Sequence, residues 1–140
     1  MNKKLIAVYG TLRKGFGNHR IIENAEFCGE FDSEPIYTLH DLGGYPGLKQ
    51  NGNTSVKFEV YAVNDNEASR VDSLEGYTEG IEPYFYDKVM IDTPWGKAGL
   101  YIYVRSLEGV RIVDSGDYYL HRFGKRSKEH EDNNVARVNG

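Results

Sequence analysis

The sequence predicts a small α+β domain, an antiparallel or mixed sheet carrying one or two helices. Three observations support this. Ser55–Val63 alternates apolar Val56, Phe58, Val60 and Ala62 with Lys57, Glu59 and Tyr61, the period of a half-buried strand. It runs into Asn64–Leu74, where Asn64 can cap a helix and Glu67, three residues on, completes a capping box. Two further strand-like runs, Tyr84–Asp92 and Lys97–Val104, flank the turn sequence Thr93-Pro94-Trp95-Gly96 and read as an antiparallel hairpin. The length of 140 residues is enough for one hydrophobic core and too short for two.

Taken in order, Leu5–Tyr9 reads as a buried strand that stops at Gly10. Lys14–Gly17 is a loop, and Asn18–Asn24 a short helix. Ala25–Phe31 and Pro35–Asp41 are strand candidates, with Gly29 a weak point in the first. Gly43–Gly47 contains Gly-Gly and Pro-Gly and reads as a loop. In the helix, Ala68, Val71 and Leu74 share a face at a spacing of three, and Gly76 supplies the stop. Leu100, Ile102 and Val104 form the apolar face of the hairpin. Residues 1–124 form the domain, and 125–140 a polar tail. A small sheet removes its open edges by curling toward a barrel.

Composition narrows the functional classes. Apolar residues make up 39% and charged residues 27%, a globular balance. The net charge of −4 argues against a broad nucleic-acid surface. The one basic patch, Lys125, Arg126 and Lys128, is cancelled by Glu129, Glu131 and Asp132. Cys28 is the only cysteine; it reads as a small buried hydrophobe and fits a reducing cytoplasm. The apolar run Leu5–Val8 is too short for a signal peptide, and no stretch approaches a membrane-spanning helix, so no membrane contact is expected. His19, His40, His121 and His130 show no ligand spacing, and neither a metal nor a cofactor is expected. There is no Gly-x-Ser-x-Gly motif. Nothing in the sequence specifies an oligomeric state.

Three local signals bear on chemistry. Tyr9-Gly10-Thr11-Leu12-Arg13 ends a strand in a glycine turn, which exposes consecutive backbone N–H groups able to hold an anion. On spacing alone an ordinary strand-ending turn is the simpler reading. A phosphate loop is rejected because Phe16 and Gly17 stand where Lys-Ser/Thr would follow Gly15. In Leu74-Glu75-Gly76-Tyr77, Glu75 sits at the negative end of the helix dipole, which together with apolar neighbours raises its pKa toward the range useful for moving protons. With 21 acidic residues in the chain, a solvated glutamate is the simpler reading. Ser115-Gly116-Asp117-Tyr118 is a turn whose Tyr stands beside a pocket or is simply packed.

Together, VYGTLRKGFGNH, GGYPGL, VKFEVYAV, VDSLEGY and SGDY, in that order over Leu5–Tyr118, resemble the gamma-glutamylcyclotransferase-like family, in particular its gamma-glutamylamine cyclotransferase branch. The resemblance implies a partly open, mostly antiparallel β-barrel with flanking helices. It implies cyclisation of a small-molecule γ-glutamyl substrate to 5-oxoproline with release of an amine: an amino acid, a polyamine or a protein lysine. The family's substrate loop matches Tyr9, Gly10, Thr11 and Leu12, its catalytic glutamate matches Glu75, and an Asn that often follows the loop matches Asn18. Tyr86 and Tyr118 are candidates to line the pocket. Two positions depart from the family pattern: Tyr86-Asp87-Lys88 stands where Tyr-x-Arg is usual, and Tyr118 where Trp is usual. These departures keep a second reading open, a binding or scaffold protein with the same fold and pocket but no chemistry.

Overall fold

A computed structural model describes residues 3–126. Strands β1 (Lys4–Val8), β2 (Glu26–Asp32), β5 (Lys57–Val63), β6 (Tyr86–Thr93) and β7 (Gly96–Tyr103) form one five-stranded sheet in the order β2-β5-β1-β7-β6. All its pairings are antiparallel except that between β1 and β7, where Leu5 lies opposite Ala98 and Ile6 opposite Gly99. Strands β3 (Tyr37–Asp41) and β4 (Pro46–Thr54) form a separate antiparallel pair. The fold is the expected mostly antiparallel α+β arrangement, and its two sheets do not close on each other.

β5 departs from the expected half-burial, because every one of its residues is buried. Val56, Phe58 and Val60 enter a core with Leu39, Leu48, Leu100 and Tyr118. On the opposite face, Tyr61 and Val63 pack with Ile22, Ala68 and Val71. Lys57 and Glu59 are buried on that second face because each has a charged partner. Lys57 Nζ lies 2.9 Å from Asp32 Oδ1, and Arg13 Nε donates to Glu59 Oε2 at 2.9 Å.

The helix α1 (Asp65–Glu75) begins at a capping box. Asn64 Oδ1 accepts from the Glu67 amide at 2.7 Å, and Glu67 Oε1 accepts from the Asn64 amide at 2.9 Å. It ends at Gly76, whose φ of 71° is left-handed and lets its amide reach the carbonyls of Asp72 and Ser73. Ala68 and Val71 are buried, but Leu74 is 40% exposed. A spacing of three falls short of the 3.6-residue turn, so the third residue of such a row rotates off the buried face.

Three other expectations are corrected, and one helix is added. The short helix after the first loop is a 3-10 helix, Gly17–Ile22. The end of the Gly43–Gly47 loop belongs to β4, a strand unsignalled by its polar second half. Tyr118–Phe123 forms a second helix, α2, capped by the Asp117 side chain on the Leu120 amide. Of the apolar face expected for the hairpin, Leu100 is buried, Ile102 half-buried and Val104 exposed, while Tyr101 and Tyr103 bury the other face of β7. Cys28 is half-buried against the core that holds Leu39, Phe58 and Val60. Residues 127–140, with Lys128, His130 and most of the expected tail, lie outside the described residues. No helix among the described residues is long and apolar enough to cross a membrane.

Candidate active site

The carboxyl end of β1 opens into a cavity of about 420 Å³, within the range of small-molecule sites. Its walls come from four places. The loop after β1 supplies Tyr9, Gly10, Thr11 and Leu12, and the β3–β4 turn supplies Gly44, Tyr45 and Pro46. The end of α1 supplies Ser73 to Gly76; Phe85 comes from just before β6, and the sheet supplies Tyr86 and Tyr101. Thus Glu75 and the β1 loop, more than sixty residues apart in sequence, face the same space.

Each wall is held by identifiable bonds. The Arg13 amide donates to the Gly10 carbonyl at 3.0 Å and closes the loop as a turn. Asn18 Nδ2 donates to Thr11 Oγ1 at 2.9 Å, and His19 Nδ1 lies 2.9 Å from the Leu12 carbonyl. Gly10 is required by a close approach: a Cβ there would lie 2.5 Å from Pro46 Cγ. Behind the loop, Arg13 is completely buried, with its Nη1 donating to Asp117 Oδ1 at 2.8 Å.

Among the described residues, Glu75 is the only carboxylate on the cavity wall. Loss of hydration pushes its pKa up to about 7, where a carboxylate can both take and return a proton near neutrality. No side-chain hydrogen bond reaches it among the described residues. Three phenols nevertheless feel its charge: Tyr9, Tyr86 and Tyr101 are each made harder to ionise, first by burial and further by Glu75. All three hydroxyls donate elsewhere. Tyr9 donates to the Tyr101 carbonyl and Tyr86 to the Pro46 carbonyl, both at 2.7 Å, and Tyr101 donates to Asp72 Oδ1.

The family profile described as "Gamma-glutamyl cyclotransferase, AIG2-like" matches residues 6–120. The chain belongs to this family. A Vibrio cholerae relative is 40% identical over 114 residues, covering 81% of this chain and 94% of the relative. The Gamma-glutamylcyclotransferase family protein YtfP of Escherichia coli K12 is 38% identical over 113 residues, covering 81% and 94%. The crystal structure of an uncharacterized protein from Pyrococcus horikoshii superposes with a TM-score of 0.73 at 31% identity, covering 86% of this chain and 94% of that one.

Of the residues expected in the family site, Tyr9, Gly10, Thr11, Leu12, Asn18, Glu75 and Tyr86 all line the cavity. Tyr118 does not. It is fully buried behind the wall, stacked on Phe16 at 5.5 Å, and its hydroxyl accepts from Arg122 Nη1 at 2.9 Å. Lys88, at the position where the family usually has Arg, also stays outside; its Nζ donates to Asp72 Oδ1 at 3.1 Å. Sequence reasoning missed Tyr45, Pro46, Phe85 and Tyr101. GGYPGL marks a turn without showing what that turn faces, and Tyr101 lies on the face of β7 opposite the apolar row that marks the strand.

Proposed function

We propose that the chain cyclises a γ-glutamyl amine or amide to 5-oxoproline and releases the free amine, with Glu75 as the general base and then the general acid. The substrate's α-amine attacks its own γ-carbonyl. One C–N bond forms as the ring closes and the original amide C–N bond breaks; of the two protons that the α-ammonium loses in becoming the lactam N–H, Glu75 passes one to the departing nitrogen, and the other leaves to solvent or protonates the released amine. Because both reacting groups belong to one molecule, the protein's task is to hold the glutamyl chain bent in an attack geometry.

The observation that carries this reading is the pairing, in one cavity, of a carboxylate whose pKa is near 7 with the backbone turn at Gly10–Leu12. In this reading the N–H groups of that turn hold the substrate carboxylate or the developing oxyanion. The partly exposed side chains of Tyr45, Leu74 and Phe85 stand at the mouth, where the released amine leaves. The test is direct: incubate the protein with γ-glutamyl amines and γ-glutamyl dipeptides and measure 5-oxoproline. Time-dependent 5-oxoproline formation supports the enzyme. Binding of 5-oxoproline with no turnover of any of these compounds would identify a ligand-binding protein instead.

A further inference from the structure

We propose that Asp72 is a positioning residue for Glu75: it takes the Tyr101 hydroxyl out of reach of the Glu75 carboxylate and so leaves that carboxylate free to act as a base. The inference rests on the assignment of Glu75 as the proton carrier. Asp72 lies one turn before Glu75 on α1, and its carbonyl accepts from the Gly76 and Tyr77 amides that end the helix. Its side chain accepts from Tyr101 on β7 and from Lys88 on β6. Asp72 therefore fixes the end of the helix that carries Glu75 and also captures the one nearby hydroxyl whose acceptor is a side chain.

The groups facing Glu75 come from every element around it. Tyr9 lies on the β1 loop, Tyr45 on the β3–β4 turn, Tyr86 on β6 and Tyr101 on β7, and among the described residues no Lys, Arg or His lines the cavity. The hydroxyls of Tyr9 and Tyr86 are tied to backbone carbonyls, which a side-chain substitution cannot remove. Only the Tyr101 bond depends on a replaceable acceptor. A phenol that donated to Glu75 would stabilise its charged form and weaken it as a base. Lys88 reinforces the present arrangement. Its Nζ sits 5.5 Å from the centre of the Tyr101 ring and 5.8 Å from that of Tyr77, and its aliphatic stem runs over Gly99, where a Cβ would meet its Cε at 2.9 Å. The Lys88 stem thus occupies the space that Gly99 leaves open.

The experiment is an NMR titration of the Glu75 side-chain carboxyl carbon, which reads the proton directly and is independent of turnover. In Asp72→Ala the midpoint is expected to fall by about one pH unit, as the released Tyr101 hydroxyl turns to Glu75. In Asp72→Ala/Tyr101→Phe it is expected to rise again by the part of that fall which the hydroxyl causes, leaving only the part due to the lost Asp72 charge and the freed Lys88. An unchanged midpoint in Asp72→Ala overturns the proposal, as does a midpoint in the double variant no higher than in Asp72→Ala. Tyr101→Phe alone supplies a check that leaves Asp72 in place: a clear rise in its Glu75 midpoint would mean that Tyr101 already serves Glu75, and the proposal would fall. If the wild-type protein shows the expected titrations but forms no 5-oxoproline, the cyclotransferase reading fails while the hydroxyl capture stands.

Discussion

Arg13 and Asp117 are 104 residues apart in the chain and meet in the core, where Arg13 Nη1 donates to Asp117 Oδ1 at 2.8 Å. The same guanidinium donates through Nε to Glu59, whose other oxygen accepts from the Lys14 amide and the Tyr61 hydroxyl. Asp117 also caps α2 on the Leu120 amide. One buried cation thus joins the cavity loop to β5 and to the start of α2. The turn before Asp117 is as constrained, since a Cβ on Gly116 would lie 1.8 Å from the Ser55 carbonyl.

Replacing Arg13 therefore strands two carboxylates in the interior. Arg13→Met is expected to lower unfolding stability by about 3–5 kcal/mol, the usual cost of breaking a buried ion pair from one side. Arg13→Lys is expected to recover little of it, because a single ammonium lacks the fork that reaches both Glu59 and Asp117. Urea unfolding of the two variants checks this.

Gly10→Ala tests the narrowness of the loop. The new methyl must displace the Pro46 ring, at a cost of about 1–3 kcal/mol, and the loop is expected to bind 5-oxoproline more weakly. Isothermal titration of the wild type, Gly10→Ala and Gly10→Ala/Pro46→Ala measures the effect. The double variant is expected to regain part of the lost affinity, since the ring that clashes is gone.

Burial of Glu75 also has a thermodynamic consequence. Its carboxyl holds a proton more tightly in the folded chain, with a pKa raised from 4.5 to about 7. Its charge therefore weakens the fold: the effect is absent below about pH 4.5, grows as the pH rises to about 7 and is complete above that. The full effect is about 3 kcal/mol. Denaturant unfolding between pH 4 and 8 is expected to show this decline in the wild type and to lose it in Glu75→Gln.

Phe85 tests the mouth of the cavity. It is 46% exposed and is stacked on Tyr103 at 6.3 Å. Phe85→Ala is expected to raise KM more for γ-glutamyl amides with a bulky leaving amine than for those with a small one, because the lost contact lies on the leaving side. Steady-state kinetics on a matched pair of amides decides it, and an equal change for both would move Phe85 out of the leaving-group path.

Much of this molecule is legible along the chain wherever one local rule acts alone. The capping box at Asn64 and Glu67 marks where α1 begins, and the Thr93–Gly96 turn marks the β6–β7 hairpin. Legibility fails where a partner distant in sequence decides the outcome. Lys57 and Glu59 read as solvent-facing because nothing near them announces the cations and anions that bury them. The second half of β4 is polar and glycine-containing, and β3 pairs with it only at Thr54, opposite Tyr37, across a register shift. Tyr118, expected at the pocket, is drawn into the core by Phe16 and Arg122. At the site, Glu75 and the β1 loop are visible through short motifs. The capture of the Tyr101 hydroxyl by Asp72 joins α1 to β7 and has no signature in either segment.

The most direct measurement of the central claim is the rate of 5-oxoproline formation by Glu75→Gln against the wild type on the same γ-glutamyl substrate, with folding of both checked by circular dichroism. Glutamine keeps the shape of the side chain but accepts no proton, so the rate is expected to fall by a factor of about 10²–10⁴. A folded Glu75→Gln protein that makes 5-oxoproline at the wild-type rate would contradict the account.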